Sequence, residues 1–166
     1  KEYRRQRQMC IRDRLGGGGI WQLRPDTLEL DIIMRGLVNS WGHHFDKWGQ
    51  SFATDGAGGE GINYVVPRGY YATAVGAKRI IQGLNPGSPK HCGLEILSGR
   101  HLPDDWQQSF VTNDFRGHRV CRFVLEQDGS GYISRQQPEV IKTNHPAFRP
   151  VAVSYTHLRA HETLRY

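Results

Sequence analysis

The chain has 166 residues, with 22 lysines and arginines against 16 aspartates and glutamates and a formal net charge of +6. Such a charge favours a nucleic-acid partner when it is spread over a domain. Here six positive side chains lie in residues 1–14 and two in residues 153–166, which leaves 14 positive and 13 negative side chains in residues 15–152. The middle of the chain is therefore nearly neutral, which argues against nucleic-acid binding, and no apolar run reaches the roughly 20 residues of a membrane span.

The two ends differ from the middle in origin as well as in charge. Residues 4–14 (RRQRQMCIRDR) resemble a sequencing adapter translated in frame, and residues 153–163 (VSYTHLRAHET) resemble the adapter of the opposite end. We therefore set residues 1–14 and 153–166 aside as adapter-like artefacts. The alternative for these ends is a genuine basic tail. Because two adapters flank it, we expect residues 15–152 to be a fragment of a longer protein.

The cysteines give little support to a metal or haem site. Cys10 lies in the adapter-like N-terminal segment, so Cys92 and Cys121 remain. Neither belongs to a C-x-x-C or C-x-x-C-H motif, which excludes a zinc knuckle and a c-type haem attachment built on them. Whether the two cysteines pair is left open by the sequence.

Residues 15–152 are predicted to be almost entirely β-structure. The runs 19–24 and 28–34 flank a Pro-Asp-Thr turn signal and predict a hairpin. Further strands are predicted at 42–46, 51–54, 93–98, 108–112, 118–125, 131–134 and 140–142, and one short helix at 73–82. Short strands at this spacing favour a sandwich, a barrel or a propeller.

Internal repetition favours the propeller. The segment Ser51–Asp55 (SFATD) recurs as Ser109–Asn113 (SFVTN) 58 positions later, and the strand that begins at Gly19 recurs in kind at Arg119. Repeats of about 50 residues with four strands each match propeller blades. The predicted fold is all-β, a partial β-propeller of about three four-stranded blades from a six-bladed type of ring, with chance similarity as the alternative. Open strand edges would make such a fragment poorly soluble or marginally stable.

Most of the unusual polar residues fall in loops that a propeller places on one face. These loops join the last strand of one blade to the first of the next, or the second strand to the third. In this chain they are residues 36–41, 55–63, 85–91, 113–117 and 143–148. Because ligands bind where such loops converge, this face is the predicted site.

Four motifs resemble one family over essentially all of residues 15–152. They are WGHHFD at 41–46, DGAGGEGINYV at 55–65, LNPGSPKHCGLEILSGRH at 84–101 and NDFRGHRVCRF at 113–123. The family is that of the planctomycete and verrucomicrobial (PVC-type) haem-binding proteins, called membrane-bound dehydrogenases. In that family a β-propeller precedes helical repeats and a cytochrome segment, and the propeller is similar to the soluble glucose/sorbosone dehydrogenases, which use pyrroloquinoline quinone (PQQ) and calcium.

The resemblance implies a set of cofactor and metal residues. Asn39 matches the asparagine of the first dehydrogenase motif, and Gly56 and Ala57 match the pair whose carbonyl groups hold calcium. Glu60 keeps the first residue of an acidic pair, and Arg149 matches an arginine of the last motif. The chain departs from the pattern at Val38, where the dehydrogenases have a quinone-binding arginine, at Gly61, which replaces the second acid, and at Pro150.

Other candidates come from the residues themselves. His44 is a candidate proton acceptor, with a packed structural histidine as the alternative. Asp55 opens an oxygen-rich loop that suits calcium, although a tight turn has the same composition. In the turn 113–118, Arg116 can clamp a carboxylate or quinone oxygens, with Asn113 and His118 beside it, or the turn is fixed by an ion pair of Asp114.

These residues predict the propeller domain of a periplasmic or cell-envelope dehydrogenase that oxidises a sugar-like or alcohol substrate. PQQ and Ca²⁺ are its expected cofactors, and haem is expected only in a downstream cytochrome c-type domain. The alternative is a non-catalytic propeller that binds a polysaccharide or docks a cytochrome domain.

Overall fold

The structure, a computed structural model, describes residues 18–56, 61–71, 83–84 and 90–152. Its strands are β1 (Gly18–Arg24), β2 (Glu29–Leu37), β3 (Ser40–Phe45), β4 (Ser51–Asp55), β5 (Ile62–Tyr64), β6 (Gly69–Tyr70), β7 (His91–Ile96), β8 (Phe110–Asp114), β9 (Arg119–Asp128), β10 (Gly131–Gln136) and β11 (Ile141–Lys142). A 3₁₀ turn spans Asp104–Trp106. The helix predicted at 73–82 and both adapter-like ends lie outside the described residues, and in the part described no helix is long and apolar enough to cross a bilayer.

The described strands form three sheets, which confirms the all-β prediction. The first has the order β1-β2-β6, the second β3-β4-β5 and the third β10-β9-β8-β7, with β11 also on β9. The predicted hairpin 19–34 is the antiparallel pair β1–β2, and a second hairpin joins β9 to β10. The sequence missed β5 and β6, and the parallel pairing of β6 with β2 joins residues far apart in the chain.

The strand pairs β3–β4 and β7–β8 are equivalent units in successive sheets. Ser40 lies opposite Asp55 and His91 lies opposite Asp114, and each pair of strands has a bulge directly after that position. The two units therefore correspond by a shift of 51 residues in the first strand and 59 in the second. The shift of 58 that the SFATD and SFVTN segments suggest is wrong by one residue.

The same correspondence holds in the main chain at the strand ends. The N–H of Gly56 donates to the Asn39 carbonyl at 2.9 Å, and the N–H of Phe115 donates to the Lys90 carbonyl at 3.2 Å. Both bonds tie the residue after the second strand to the residue before the first. Each unit is thus closed in the same way at the end where the candidate loops begin.

The main core lies between the second and third sheets. Phe52 and Phe110 meet edge to face with ring centroids 4.7 Å apart. Around them lie the buried side chains Ile62, Leu84, Leu94, Ile96, Cys121 and Phe123. A second apolar cluster, Met34, Leu37, Ala53, Val65 and Tyr71, joins the first sheet to the second. Burial of these side chains is the main stabilising contribution to the stack.

Close main-chain approaches fix the sheets against one another. A Cβ at Gly42 would lie 2.3 Å from the backbone nitrogen of Leu94, so β3 can meet β7 only with glycine there. Leu84 bridges two sheets, because its N–H donates to the Ile62 carbonyl at 2.7 Å and its carbonyl accepts from the Ser134 N–H at 3.3 Å and hydroxyl at 3.0 Å.

Two tryptophans lie in connections between strands. Trp48 is 76% exposed at the turn between β3 and β4. Trp106 lies under Arg122, whose Cζ is 4.4 Å from the indole centroid, and it anchors the connection between β7 and β8. Cys92 and Cys121 are both buried free thiols.

Candidate functional site

Asp55 closes the turn between β2 and β3. Its Oδ2 accepts the N–H of Val38 at 2.9 Å and its Oδ1 accepts the N–H of Asn39 at 3.0 Å. The side chain is fully buried. Both oxygens therefore accept backbone N–H groups, and the geometry shows that Asp55 fixes this turn.

Asp114 does the same for the equivalent turn before β7. Its Oδ1 accepts the N–H groups of Lys90 at 3.3 Å and Gly117 at 3.0 Å. Its Oδ2 accepts from Arg119 Nε at 3.0 Å. Burial alone would raise the pKa of Asp114, but the Gly117 N–H and the Arg119 guanidinium outweigh it and the pKa is lowered.

Arg119, which the sequence did not single out, is the partner that fixes this turn. Its Nη1 also donates to Glu139 at 3.0 Å, and Lys142 lies 3.5 Å from the same carboxylate oxygen. Asp114 and Arg119 lie opposite each other at the start of the β8–β9 ladder, so correct pairing of the two strands would have predicted this contact.

Arg116 is left exposed at the tip of that turn. It has no hydrogen bond or ion pair with any residue in the described ranges. Arg149 is also exposed and lies close to this turn. Its guanidinium Cζ is 5.0 Å from the ring centroid of Phe115, the residue next to Arg116. Its Nε donates to the Pro146 carbonyl at 3.2 Å. Two of the predicted functional arginines are thus brought to one turn.

His118 ties the loop 143–148 to the turn that carries Arg116. Its backbone φ is +52°, a left-handed conformation, and its ring Nδ1 lies 2.7 Å from the Phe148 carbonyl oxygen. The His118 carbonyl accepts the Thr143 N–H at 3.2 Å. Asn113, by contrast, is buried inside the β8–β9 ladder opposite Val120, so the structure separates it from the exposed surface.

His91 joins the loop ends of the second and third sheets. It is fully buried, and a Cβ at Gly61 would lie 1.8 Å from its ring. The ring also packs edge to face on Phe123 at 5.3 Å. Burial lowers the pKa of His91 to about 4, with the Asp114 charge acting in the opposite direction. A neutral, packed histidine is a structural one.

The neighbouring histidines of β3 have different partners. His44 reaches the third sheet, where its Nε2 lies 3.3 Å from Glu95 Oε1, and its Nδ1 lies 2.8 Å from the Phe45 carbonyl. His43 stays within its own sheet and hydrogen-bonds Ser51 at 2.7 Å. Burial, followed by the neighbouring His44, lowers the pKa of His43.

The remaining candidates concern the metal loop. Asn39 is exposed. Gly56 lies against the indole of Trp41, and a Cβ at position 56 would be 2.8 Å from the indole Cδ1. Ala57 and Glu60 lie outside the described residues. Among the residues that are described, no three histidine, cysteine or acidic side chains are grouped so as to hold a metal ion.

Two solved structures share this fold. One is the oxidoreductase (glucose dehydrogenase) of Thermus thermophilus, with a TM-score of 0.57, 19% identity, and coverage of 74% of this chain and 37% of that one. The other is the PQQ-bound aldose sugar dehydrogenase of Streptomyces coelicolor, with a TM-score of 0.59, 18% identity, and coverage of 82% and 42%. No family model and no curated protein matches the sequence.

The chain therefore spans about two fifths of the length of these two proteins. At this identity the likeness shows the fold alone. Together with the stacked sheets and their equivalent strand pairs, it confirms the predicted architecture: the chain is an all-β, partial β-propeller.

Proposed function

We propose that this chain is part of the propeller of a PQQ-dependent dehydrogenase that oxidises a sugar-like or alcohol substrate. The observation that carries the proposal is the pair Arg116 and Arg149 at one loop end of a fold shared with a PQQ-bound sugar dehydrogenase. Exposed guanidinium groups at converging propeller loops suit an anionic, planar ligand.

The two arginines fit the carboxylates of PQQ in different ways. Arg149 is held by Phe115 and the Pro146 carbonyl, so its guanidinium loses little conformational freedom on binding. Arg116 has no competing partner among the described residues and is available for a bidentate contact. PQQ, when bound, supplies the two-electron acceptor for oxidation of the substrate hydroxyl carbon.

The expected Ca²⁺ site has less direct support than the pair of arginines. Asp55 is buried, and each of its carboxylate oxygens accepts a backbone N–H of the turn before β3. A calcium contact would have to come from backbone carbonyls at Gly56 and Ala57 and from Glu60, as the family resemblance implies. We include this contact in the proposal as a separate, testable element.

A proton acceptor is also required, and His44 is the proposed group. Its Nε2 lies 3.3 Å from Glu95 Oε1, which fixes the orientation of the ring. The proposal further includes a periplasmic or cell-envelope location and a cytochrome c-type domain as electron acceptor, both of which rest on the resemblance of the motifs.

A binding titration tests the proposal on the chain itself. PQQ absorbance is followed as the protein is added, with and without Ca²⁺. We expect saturable binding that each of Arg116→Ala and Arg149→Ala weakens about tenfold, the loss of one charge-assisted contact. Arg135→Ala is the matched control, because Arg135 is also exposed but is paired with Glu126 on β9.

Two results would contradict the proposal. One is an unchanged PQQ spectrum at every protein concentration, and the other is an equal loss of binding in the Arg135→Ala control. Binding of a polysaccharide or of a cytochrome domain in the absence of PQQ binding would support the non-catalytic propeller. The proton acceptor is tested in a protein that carries the complete ring. There, we expect His44→Gln to abolish sugar-dependent dye reduction.

A further inference from the structure

His118 lies between the turn that carries Arg116 and the first residue of β9. Its ring and its backbone both bond to the segment that leads to Arg149. Ring Nδ1 lies 2.7 Å from the Phe148 carbonyl oxygen, and the His118 carbonyl accepts the Thr143 N–H at 3.2 Å. One residue therefore joins the two segments that carry the proposed quinone-binding arginines.

The ring of His118 is the donor in its bond to Phe148. A carbonyl oxygen only accepts hydrogen bonds, so Nδ1 carries a proton. The neutral ring with this tautomer and the protonated ring both make the bond. The backbone φ of His118 is +52°, a conformation that non-glycine residues rarely adopt and that surrounding contacts have to stabilise. The bonds to Thr143 and Phe148 supply such contacts.

Arg149 lies between two tethered carbonyl groups. The carbonyl of the preceding residue, Phe148, accepts from His118. The carbonyl of Val151 accepts the Gly93 N–H on β7 at 3.1 Å. The first tether reaches the turn that carries the other arginine, whereas the second reaches β7. The first tether therefore sets how far apart the two guanidinium groups lie.

We propose that His118 is a positioning residue, whose Nδ1–H bond holds Arg116 and Arg149 as one two-point clamp for the acid groups of a planar anionic ligand. This role rests on the proposed function, in which the ligand is PQQ and the acid groups are its carboxylates. Two guanidinium groups held at a fixed separation lose little conformational freedom when they bind two acid groups of one ligand, and this raises the affinity. Without the tether, Arg149 has to be ordered when the ligand binds.

Two substitutions that both accept the left-handed backbone test the bond separately from the backbone conformation. Asparagine has an N–H group on the nitrogen attached to Cγ, as histidine has at Nδ1, whereas glycine has no side chain. We expect His118→Asn to bind PQQ like the parent chain, and His118→Gly to bind it about tenfold more weakly in the same absorbance titration. In the His118→Gly background, Arg149→Ala should weaken binding less than about twofold further, while Arg116→Ala keeps its effect of about tenfold.

A second measurement follows the position of Arg149 without any ligand. The Arg149 guanidinium lies over the Phe115 ring, and an aromatic ring shields protons above its face. The NMR signal of Arg149 Nε–H should therefore be shifted upfield in the parent chain and in His118→Asn, and should return to the value of a free arginine in His118→Gly. His118→Ala replaces the glycine variant if that variant does not fold.

Two results would overturn the positioning role of His118. One is an upfield Arg149 signal that persists in His118→Gly, and the other is a full tenfold effect of Arg149→Ala in that background. If PQQ binds to none of the chains while the NMR signals behave as expected, the proposed function is wrong and the positioning of Arg149 by His118 is confirmed.

Discussion

Thr54 and Thr112, from two different sheets, donate to the same acceptor. The Thr54 hydroxyl lies 3.2 Å and the Thr112 hydroxyl 2.9 Å from the carbonyl oxygen of Cys92, and Thr54 also accepts the Gly42 N–H at 2.9 Å. The two threonines occupy matching places in SFATD and SFVTN. The repeated segment therefore supplies both sides of one buried contact.

The Thr54 contact should contribute more to stability than that of Thr112. Thr54→Val removes a donor and leaves the Gly42 N–H without its acceptor, so we expect a loss of about 2 kcal/mol, against about 1 kcal/mol for Thr112→Val. Valine keeps the shape of threonine. Urea unfolding measures both, and equal losses in the two variants would show that the Gly42 bond contributes nothing. The double variant should exceed the sum, because the Cys92 carbonyl then loses both donors.

The stability of the fold should fall as the pH drops below neutrality, because of His91. Its pKa is about 4 in the folded protein and near 6.5 when unfolded, so the unfolded chain binds the proton first. The contribution is complete above pH 6.5 and is lost by roughly 1.4 kcal/mol per pH unit down to about pH 4. Chemical unfolding at several pH values measures this slope. His91→Leu should flatten it and the exposed His101→Gln should leave it unchanged; a slope that survives in His91→Leu would assign it to another group.

Loss of the Asp114 carboxylate should loosen the turn that carries Arg116. Asp114→Asn removes the charge that pairs with Arg119, and we expect a loss of about 2 kcal/mol at pH 7. Because the pKa of Asp114 is lowered in the folded state, its contribution is present above the unfolded value of 3.8 and is lost as the pH falls through the folded value. The difference in the free energy of unfolding between the parent and Asp114→Asn should therefore disappear in strong acid. Asp128→Asn, at an exposed hairpin end, is the control and should change the free energy of unfolding little at any pH.

Arg122 should not be replaceable by lysine. It is buried, donates to the Ser109 hydroxyl at 3.2 Å and the Asp105 carbonyl at 2.6 Å, and stacks on Trp106. Lysine cannot make these contacts together, so Arg122→Lys should cost about 1–2 kcal/mol and speed proteolysis of the connection 97–109. Arg135→Lys, in an exposed ion pair, should change stability by less than about 0.5 kcal/mol. Equal effects in the two variants would contradict this role.

The repeat predicted the architecture, but its register was misleading. The matching segments make Phe52 and Phe110 equivalent at a spacing of 58 residues, yet the two rings face each other across the interface between sheets. The ladder makes Asp55 equivalent to Asp114 instead. A shift of one residue moves every side chain of a strand to the other face, and sequence identity cannot detect it when both faces are buried.

The candidate site was predicted in part. Composition and resemblance single out the loops and the arginines at 116 and 149, because exposed polar residues in a β-rich chain are conspicuous. The turn-fixing roles of Asp55 and Asp114 stood only as alternatives, since their partners are largely backbone N–H groups that carry no residue-specific signal. Arg119 was missed because its role depends on which residue of β8 it faces.

Leu84 couples the opening of the second sheet to that of the third. Its one peptide N–H and one carbonyl connect Ile62 of the second sheet to Ser134 of the third, so neither outer strand can peel away without releasing the other. A pull applied to β10 is transmitted to β5 through a single residue, and the two edges should exchange their amide hydrogens as one cooperative unit.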